Sequence, residues 1–274
     1  MVPLRRELGA SYAFVERNFR AVRRYWGWEV VFLFHSIVSA LTVAYIAPGG
    51  VVVAGQQFDA DRLILFLVVG TVVWAYLDSV FDSVAFMVSW ERWEGTIEST
   101  FMAPIRRVTF IAGSSAFAVL YSFARAVVIL VVVALFFSLD LAAANWVGAF
   151  AVLAIGSLGL LGIGIMAAAL PLLFLERGSQ MTVVVQASLL LVSGVYYPVE
   201  VLPDWLEWFS VISPATYVLN AMRAAVLDGV TLVDLLPHFG PLMLITAVTM
   251  PVGVWVFGWA ERYALRHGRL KRSG

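Results

Sequence analysis

A short charged stretch between two long apolar runs carries the residues best placed for specific recognition. Glu91, Glu94 and Glu98 recur at three- and four-residue steps, so a helix would carry them on one face, with Arg92 beside them. Side chains of this kind form ion pairs, and they face water or a partner rather than lipid. The spacing therefore predicts a chain that leaves the membrane, presents its charges and re-enters.

The same stretch also has an apolar face. Trp93, Ile97 and Phe101 recur at helical spacing, and Pro104 ends the pattern. An ordinary solvated loop has no reason to align two aromatic side chains and an isoleucine, because an exposed apolar face is usually covered by a partner. We therefore expect a short amphipathic helix that binds another protein.

The sequence contains no recognisable enzyme active site. His35, His238 and His267 are far apart, and no cysteine is present to supply a nucleophile, a disulfide or a thiolate metal ligand. The metalloprotease, serine hydrolase and phosphate-loop motifs are also missing. We expect no catalytic residue and no metal site in this chain, so an ATP-binding site would have to lie on another polypeptide.

The elements that position the charged stretch are membrane spans. Hydrophobic residues make up 62% of the chain and charged residues 13%, which excludes an ordinary soluble domain of 274 residues. Apolar runs of 18 or more residues recur, and ten tryptophans suit a chain with two membrane interfaces. We predict an all-α membrane protein with a single domain, residues 1–274, and a bundle of six spans over residues 30–260. The spans are predicted at residues 30–47, 63–89, 108–138, 146–174, 181–197 and 235–260.

An amphipathic helix is expected before the first span, over residues 4–26. Its apolar stripe includes Leu8, Tyr12 and Phe19, and arginines surround that stripe, which is typical of a helix lying in the membrane surface. A helix packed on a soluble partner is the alternative.

Basic residues give the expected orientation. They are concentrated before the first span, in the 89–107 and 175–180 connections and in the basic tail at 261–274, whereas the other side is mainly acidic. By the positive-inside rule both termini are cytoplasmic, which agrees with an even number of spans. The second and third spans exceed the ~20 residues that cross a bilayer, so they should tilt or project into the cytoplasm.

Two short apolar helices are predicted before the last span, on the extracytoplasmic side. Pro203 begins the first and Ser213 caps the second, and neither helix is long enough to span. Such a pair can re-enter the outer leaflet, or it can lie on the membrane as a surface hairpin. Its tyrosines, tryptophans and prolines either edge a gate or anchor the interface. These residues are Tyr196, Tyr197, Pro198, Pro203, Trp205, Trp208, Pro214 and Tyr217.

Three charged residues lie inside the predicted spans. Asp78 and Asp82 share one face of the second span at i and i+4, and Arg125 lies at a matching depth in the third. An arginine within the membrane normally faces a partner or a water-filled path. We predict that Arg125 pairs with Asp78, or with Asp82 one turn deeper, as a structural link between adjacent spans; contact with substrate is the alternative.

The charged stretch also resembles a family motif. Residues Glu91-Arg92-Trp93-Glu94-Gly95-Thr96-Ile97-Glu98, followed by Pro104, are similar to the pattern E-R-E-x-G-T-hydrophobic-E…P of ABC-2 type transporter permease subunits. The resemblance covers the whole chain, with its N-terminal helix, six spans and the segment at 193–217. Trp93 departs from the pattern, because many members have a charged residue there. The departure changes the chemistry of the docking face but not its position.

The resemblance implies that residues 91–104 form a coupling helix that docks into a separate ABC ATPase (nucleotide-binding) subunit. It also implies two permease and two ATPase subunits, with ATP and Mg on the ATPases and no cofactor on this chain. The helix pair before the last span would then close the outer mouth of the pathway. The expected location is the cell (plasma) membrane, in particular a bacterial inner membrane.

The expected function is the permease of an ATP-driven exporter that acts as a dimer. Six spans are too few to enclose a wide path alone, so a second copy of the chain should complete it. No ring of acidic or basic residues marks a polar path, which favours an apolar or amphipathic cargo, such as a drug, an antibiotic or a lipid. Export of a polysaccharide or lipid-linked glycan is the alternative, and a channel or secondary transporter a more remote one. Membrane lipid is an expected partner and nucleic acid is not.

Overall fold

The protein is helical almost throughout. The computed structural model describes residues 4–46, 51–53, 56–58, 60–103, 105–137, 141–174 and 176–268. The helices are α1 Leu4–Arg24, α2 Trp26–Ala44, α3 Ala60–Ala85, α4 Met87–Glu94, α5 Ile97–Met102, α6 Arg107–Phe137, α7 Trp146–Ala167, α8 Leu170–Leu173, α9 Gly178–Val192, α10 Asp204–Ile212, α11 Pro214–Val226 and α12 Leu236–Arg266. Strands β1 Val51–Val53 and β2 Gln56–Phe58 form a small antiparallel hairpin between α2 and α3.

Five of the helices in the described part of the chain are long and apolar enough to cross a membrane. They are α2, residues 62–85 of α3, α6, α7 continued through α8, and α12. The prediction of an all-α membrane protein is confirmed. The fifth predicted span, 181–197, corresponds to the shorter apolar helix α9, which ends at Val192 because the chain turns at Gly194, whose φ is +69°.

Helix α9 lies beside the later part of α3 and the start of α4. Ser179, at its beginning, contacts Ser89 of α4, and the carbonyl of Val195, just past its end, lies against Gly70 of α3. Nineteen residues separate positions 70 and 89, which corresponds to ~28 Å of helix. We call the end of the bundle that holds α4 and α5 the connection end, and the opposite end the far end.

Small residues allow the bundle to pack closely around α7. Val218 of α11 fills the space where Gly156 lacks a side chain, and Gly162 lies against Thr249 of α12. A Cβ added to Gly162 would lie 2.6 Å from the Thr249 carbonyl carbon, which is too close for any real side chain. The small residues therefore let helix backbones approach each other.

The helix pair before α12 follows α7 from the far end inwards. Pro214, the first residue of α11, packs on Gly159, which lies 13 residues into α7, or ~20 Å along it. At the other end of α11, the amide of Asn145 donates to the Ala225 carbonyl at 2.9 Å. Helix α11 is thus antiparallel to the first half of α7, the arrangement that the predicted re-entrant pair requires.

Helix α1 packs on α6 through a face that includes Phe14, and its apolar stripe is turned outwards. Phe14 packs edge-on against Phe110 of α6, and the backbone at Ser11 lies against Gly113. Leu8, Tyr12 and Phe19 are exposed. An outward apolar stripe is what a helix in a membrane surface needs.

Candidate functional site: the segment connecting α3 and α6

The charged stretch forms two helices where a single one was predicted. We call residues 86–106 the connecting segment. The helix is interrupted first at Phe86, which separates α3 from α4. It is interrupted again at Gly95, whose φ of 76° lies in the left-handed region that favours glycine. The predicted second span at 63–89 therefore ends early, at Ala85, and the predicted coupling helix is divided into α4 and α5.

Glu91 is buried, contrary to the prediction that it faces water. It is 1% exposed, and its Oε2 accepts hydrogen bonds from the hydroxyls of Thr96 at 2.6 Å and Thr100 at 2.8 Å. Its other oxygen forms an ion pair with Arg17 of α1. A buried carboxylate needs such partners, so Glu91 joins α1, α4 and α5 rather than contacting a partner.

Two more charges of the motif also bind within the chain. Arg92 Nη1 donates to the carbonyl of Pro171, in α8, at 2.9 Å, and burial lowers the pKa of its guanidinium. Glu94 forms an ion pair with Arg24 at the end of α1. The connecting segment is therefore attached to both α1 and α8.

The predicted apolar face is also divided. Ile97 and Phe101 are 1% and 3% exposed and pack in the core, whereas Trp93 is 61% exposed and lies against Trp90 and Tyr25. The prediction that Trp93, Ile97 and Phe101 share one docking face is thus wrong, because the break at Gly95 rotates α5 relative to α4. Pro104 lies outside the described residues.

The exposed surface of the connecting segment includes one residue of each predicted face, Trp93 and Glu98, and residues that lie between those faces. Trp93, Gly95, Glu98 and Ser99 are exposed, and Met102 is 77% exposed. Ser99 and Met102 were not selected by sequence periodicity, since they fall between the predicted faces. An apolar side chain on a charged surface is the signal that could have identified Met102.

Arg107 attaches the end of the connecting segment to the last span. Its Nε donates to Glu261 of α12 at 2.5 Å, its Nη1 to the Thr100 carbonyl at 3.2 Å, and its guanidinium lies 4.8 Å from the Phe101 ring centre. Sequence reasoning assigned no partner to Arg107, because Glu261 is 154 residues away in the chain.

Arg125 does not form the predicted ion pair with an aspartate. The depth was correct, because Ser122 of α6 donates to Ser79 of α3 at 2.8 Å, one turn from these groups. However, Arg125 turns towards α2 and donates to Ser36 at 3.2 Å, whereas Asp78 turns towards α9 and accepts from Gln186 at 2.5 Å. Asp82 Oδ1 is buried with no hydrogen-bond partner in the described structure.

The predicted gate residues lie just after the end of α9, around α10 and at the start of α11. Tyr197 donates to the Leu191 carbonyl at 2.5 Å and Tyr217 to the Val211 carbonyl at 3.0 Å, while Trp205 and Trp208 are exposed. Tyr196 is partly exposed. Pro198 precedes the short 3₁₀ helix Val199–Val201, Pro203 precedes α10, and Pro214 begins α11.

The hydroxyl of Ser213 has a different role from the predicted helix cap. Ser213 precedes α11, but its hydroxyl lies 2.9 Å from that of Ser193 and does not bond the start of the helix. Nearby, Arg223 donates to the carbonyls of Gly194 at 3.0 Å and Val195 at 2.7 Å, and lies 3.6 Å from the centre of the Phe66 ring. Arg223 is buried, and sequence reasoning gave it no role.

The described residues contain no group of three or more metal-ligating side chains. The ion pairs and serine contacts above instead connect helices to one another. Helices α4 and α5 thus present an exposed surface, which we call the tip, at Trp93, Glu98 and Met102. Their base consists of Glu91, Arg92, Glu94 and the adjoining Arg107, which attach the segment to α1, α8 and α12.

Comparison with known proteins identifies the family of the chain. The family model for ABC-2 type transporters matches residues 10–227, which includes the connecting segment and the helix pair. A stretch of 43 residues is 49% identical to ABC transporter G family member 20 of Dictyostelium discoideum. That stretch is 16% of this chain and 6% of the relative's length, so the chain spans only a small part of that protein. The family match covers most of the chain, and the chain therefore belongs to the ABC-2 type transporter family.

Proposed function

We propose that this chain is the permease subunit of an ATP-driven exporter and works as a dimer with two separate ABC ATPase subunits. Membership of the ABC-2 family supports a transporter permease. ATP and Mg bind to the partner ATPases, and the cargo is apolar or amphipathic. The connection end and both termini face the cytoplasm, and the protein lies in the cell membrane.

The observation that carries the proposal is the exposed tip of the connecting segment. Trp93 and Met102 are large apolar side chains that are 61% and 77% exposed, on a segment whose Glu91 and Glu94 form ion pairs with α1. A single apolar side chain fully buried by a partner contributes about 1.5–3 kcal/mol. The exposed tip is therefore a surface that an ATPase subunit can cover.

The base of the segment gives this surface its mechanical use. Glu91 connects it to α1, and Arg107 connects it to Glu261 of α12. A partner that displaces the tip must therefore displace helices at opposite ends of the chain. ATP-driven closure of two ATPase subunits would act on the pathway through these contacts.

Met102→Asp tests the docking surface in the complex of the chain with its ATPase subunit. We expect about tenfold weaker binding of the ATPase and loss of permease-dependent ATP hydrolysis, because a charge replaces an apolar contact. Val233→Asp is the matched control, since Val233 is equally exposed but lies at the far end. Unchanged binding and hydrolysis in the Met102 variant would count against docking at this tip.

A further inference from the structure

Helix α9 is attached to the connecting segment at one end and to the far-end helix pair at the other. We infer that α9 is a connecting rod, which transmits a displacement of α4 to α10 and α11. The inference rests on the proposed function, since it assigns the route by which an ATPase at the connection end would open the far end.

The joint at the connection end is formed by Ser89 and Ser179. Their hydroxyls are 3.0 Å apart. Arg92 adds a second contact, to the Pro171 carbonyl in α8. Helix α8 is in turn held closely to α9, because Gly178 lies so near the Pro171 backbone that a Cβ there would be 2.5 Å from the Pro171 Cα. Helices α4, α8 and the start of α9 therefore move as one unit.

The joint at the far end involves both helices of the pair. Ser210 of α10 donates to the Val192 carbonyl at 2.5 Å, and the hydroxyls of Ser193 and Ser213 are 2.9 Å apart. Arg223 of α11 donates to the carbonyls of Gly194 and Val195, the two residues that follow. The end of α9 thus cannot move without carrying α10 and α11.

Between its joints α9 is only partly packed against the bundle. Val183 and Val184 are exposed, whereas Leu189 and Leu190 are partly buried against the core. Gln186 binds Asp78 of α3 through one side-chain hydrogen bond. A hydrogen bond of this kind contributes about 1–3 kcal/mol, which a protein partner driven by ATP can overcome. Fifteen helical residues give a rod of ~22 Å, and helix geometry keeps its length fixed.

The absence of cysteine from the sequence allows a direct test in the full complex with ATPase subunits. Thr216→Cys is the reporter, because Thr216 is buried in α11 and its hydroxyl has no hydrogen-bond partner. We expect ATP to raise the rate of labelling by a membrane-impermeant maleimide by about tenfold, as a minor open state becomes major. If the ATPase subunits hydrolyse ATP equally well without the permease, the proposed function fails. If their ATP hydrolysis depends on the permease, the role of α9 is tested separately as follows.

Locking the joint of Ser89 and Ser179 should then preserve the labelling, and breaking this joint should abolish it. A disulfide between Ser89→Cys and Ser179→Cys should preserve the ATP-driven labelling of Thr216→Cys, because the joint moves as one unit. Ser179→Trp should abolish that labelling while ATP hydrolysis continues, and Ser188→Trp, an exposed position on the same helix, should leave it unchanged.

Two results would overturn the inference. The first is labelling that persists in the Ser179→Trp variant. The second is labelling that the disulfide stops and a reductant restores, since the joint would then have to open during the cycle. The disulfide experiment still tests the inference if the Ser179→Trp variant fails to fold.

Discussion

At the scale of single residues, Glu91 shows how a motif residue can act inside the protein. Its carboxylate is buried among Thr96, Thr100 and Arg17. A surface ion pair contributes little, but removal of one member of a buried pair leaves an uncompensated charge. The first glutamate of the motif thus shapes the connecting segment, and Trp93, Glu98 and Met102 present its surface.

Glu91→Ala is expected to destabilise the protein by about 3 kcal/mol, because Arg17 and two threonine hydroxyls lose their acceptor. Thermal unfolding in detergent, followed by size-exclusion chromatography, measures the change. Glu98→Ala is the control, since Glu98 is an exposed glutamate in the same segment. Equal unfolding temperatures for the two variants would contradict the buried role of Glu91.

At the scale of elements, contacts between helix backbones set the geometry of the bundle. Gly162 of α7 lies against Thr249 of α12, and Gly253 of α12 lies against the Gly162 carbonyl, where a Cβ would be 2.5 Å away. Each glycine leaves room for the backbone of the other helix. Small residues of α7 thus allow close packing against α11 and α12.

Gly162→Ala is expected to lower stability by about 1–3 kcal/mol, because the added methyl group would collide with the Thr249 backbone and force α7 and α12 apart. Gly240→Ala in α12 is the matched control. No atom lies within 4 Å of its added Cβ, so it should be neutral or gain up to about 1 kcal/mol in helix propensity. Unfolding temperatures of both variants, measured in one detergent, decide the point. A Gly162→Ala variant that is as stable as the wild type would mean that α7 and α12 can separate freely.

At the scale of the whole molecule, the number of crossings depends on α9. Its 15 residues are fewer than a span usually needs, yet its ends lie beside Gly70 of α3 and Ser89 of α4. The ion pair between Arg107 and Glu261 keeps the connecting segment and the end of α12 at the same end of the bundle. If α9 crosses the membrane, the start of α10 lies on the opposite side.

Single cysteines in the otherwise cysteine-free chain test this topology. We expect Ser99→Cys and Arg266→Cys to be labelled by an impermeant maleimide only after the membrane is opened, and Asp204→Cys to be labelled in intact cells. All three positions are exposed, so access should depend on the side alone. Labelling of Asp204→Cys on the same side as Ser99→Cys would show that α9 does not cross, and would leave five spans.

The sequence by itself determined the membrane character, the boundaries of the long helices to within a few residues, and the position of the charged connecting segment between two of them. These properties depend on composition, on long apolar runs and on local spacing, which a single chain displays directly. The depth of Arg125 relative to Asp78 also followed, since helical rise is fixed.

Only the tertiary structure decided which side each charged residue faces. Arg125 turned to Ser36 because α2 packs beside α6, and Glu91 was buried because Gly95 breaks the helix and α1 covers it. The partners of Arg107 and Arg223 lie far away in sequence, so no local pattern identifies them. Spacing fixes the face of one helix, but the choice of partner depends on which helices surround it.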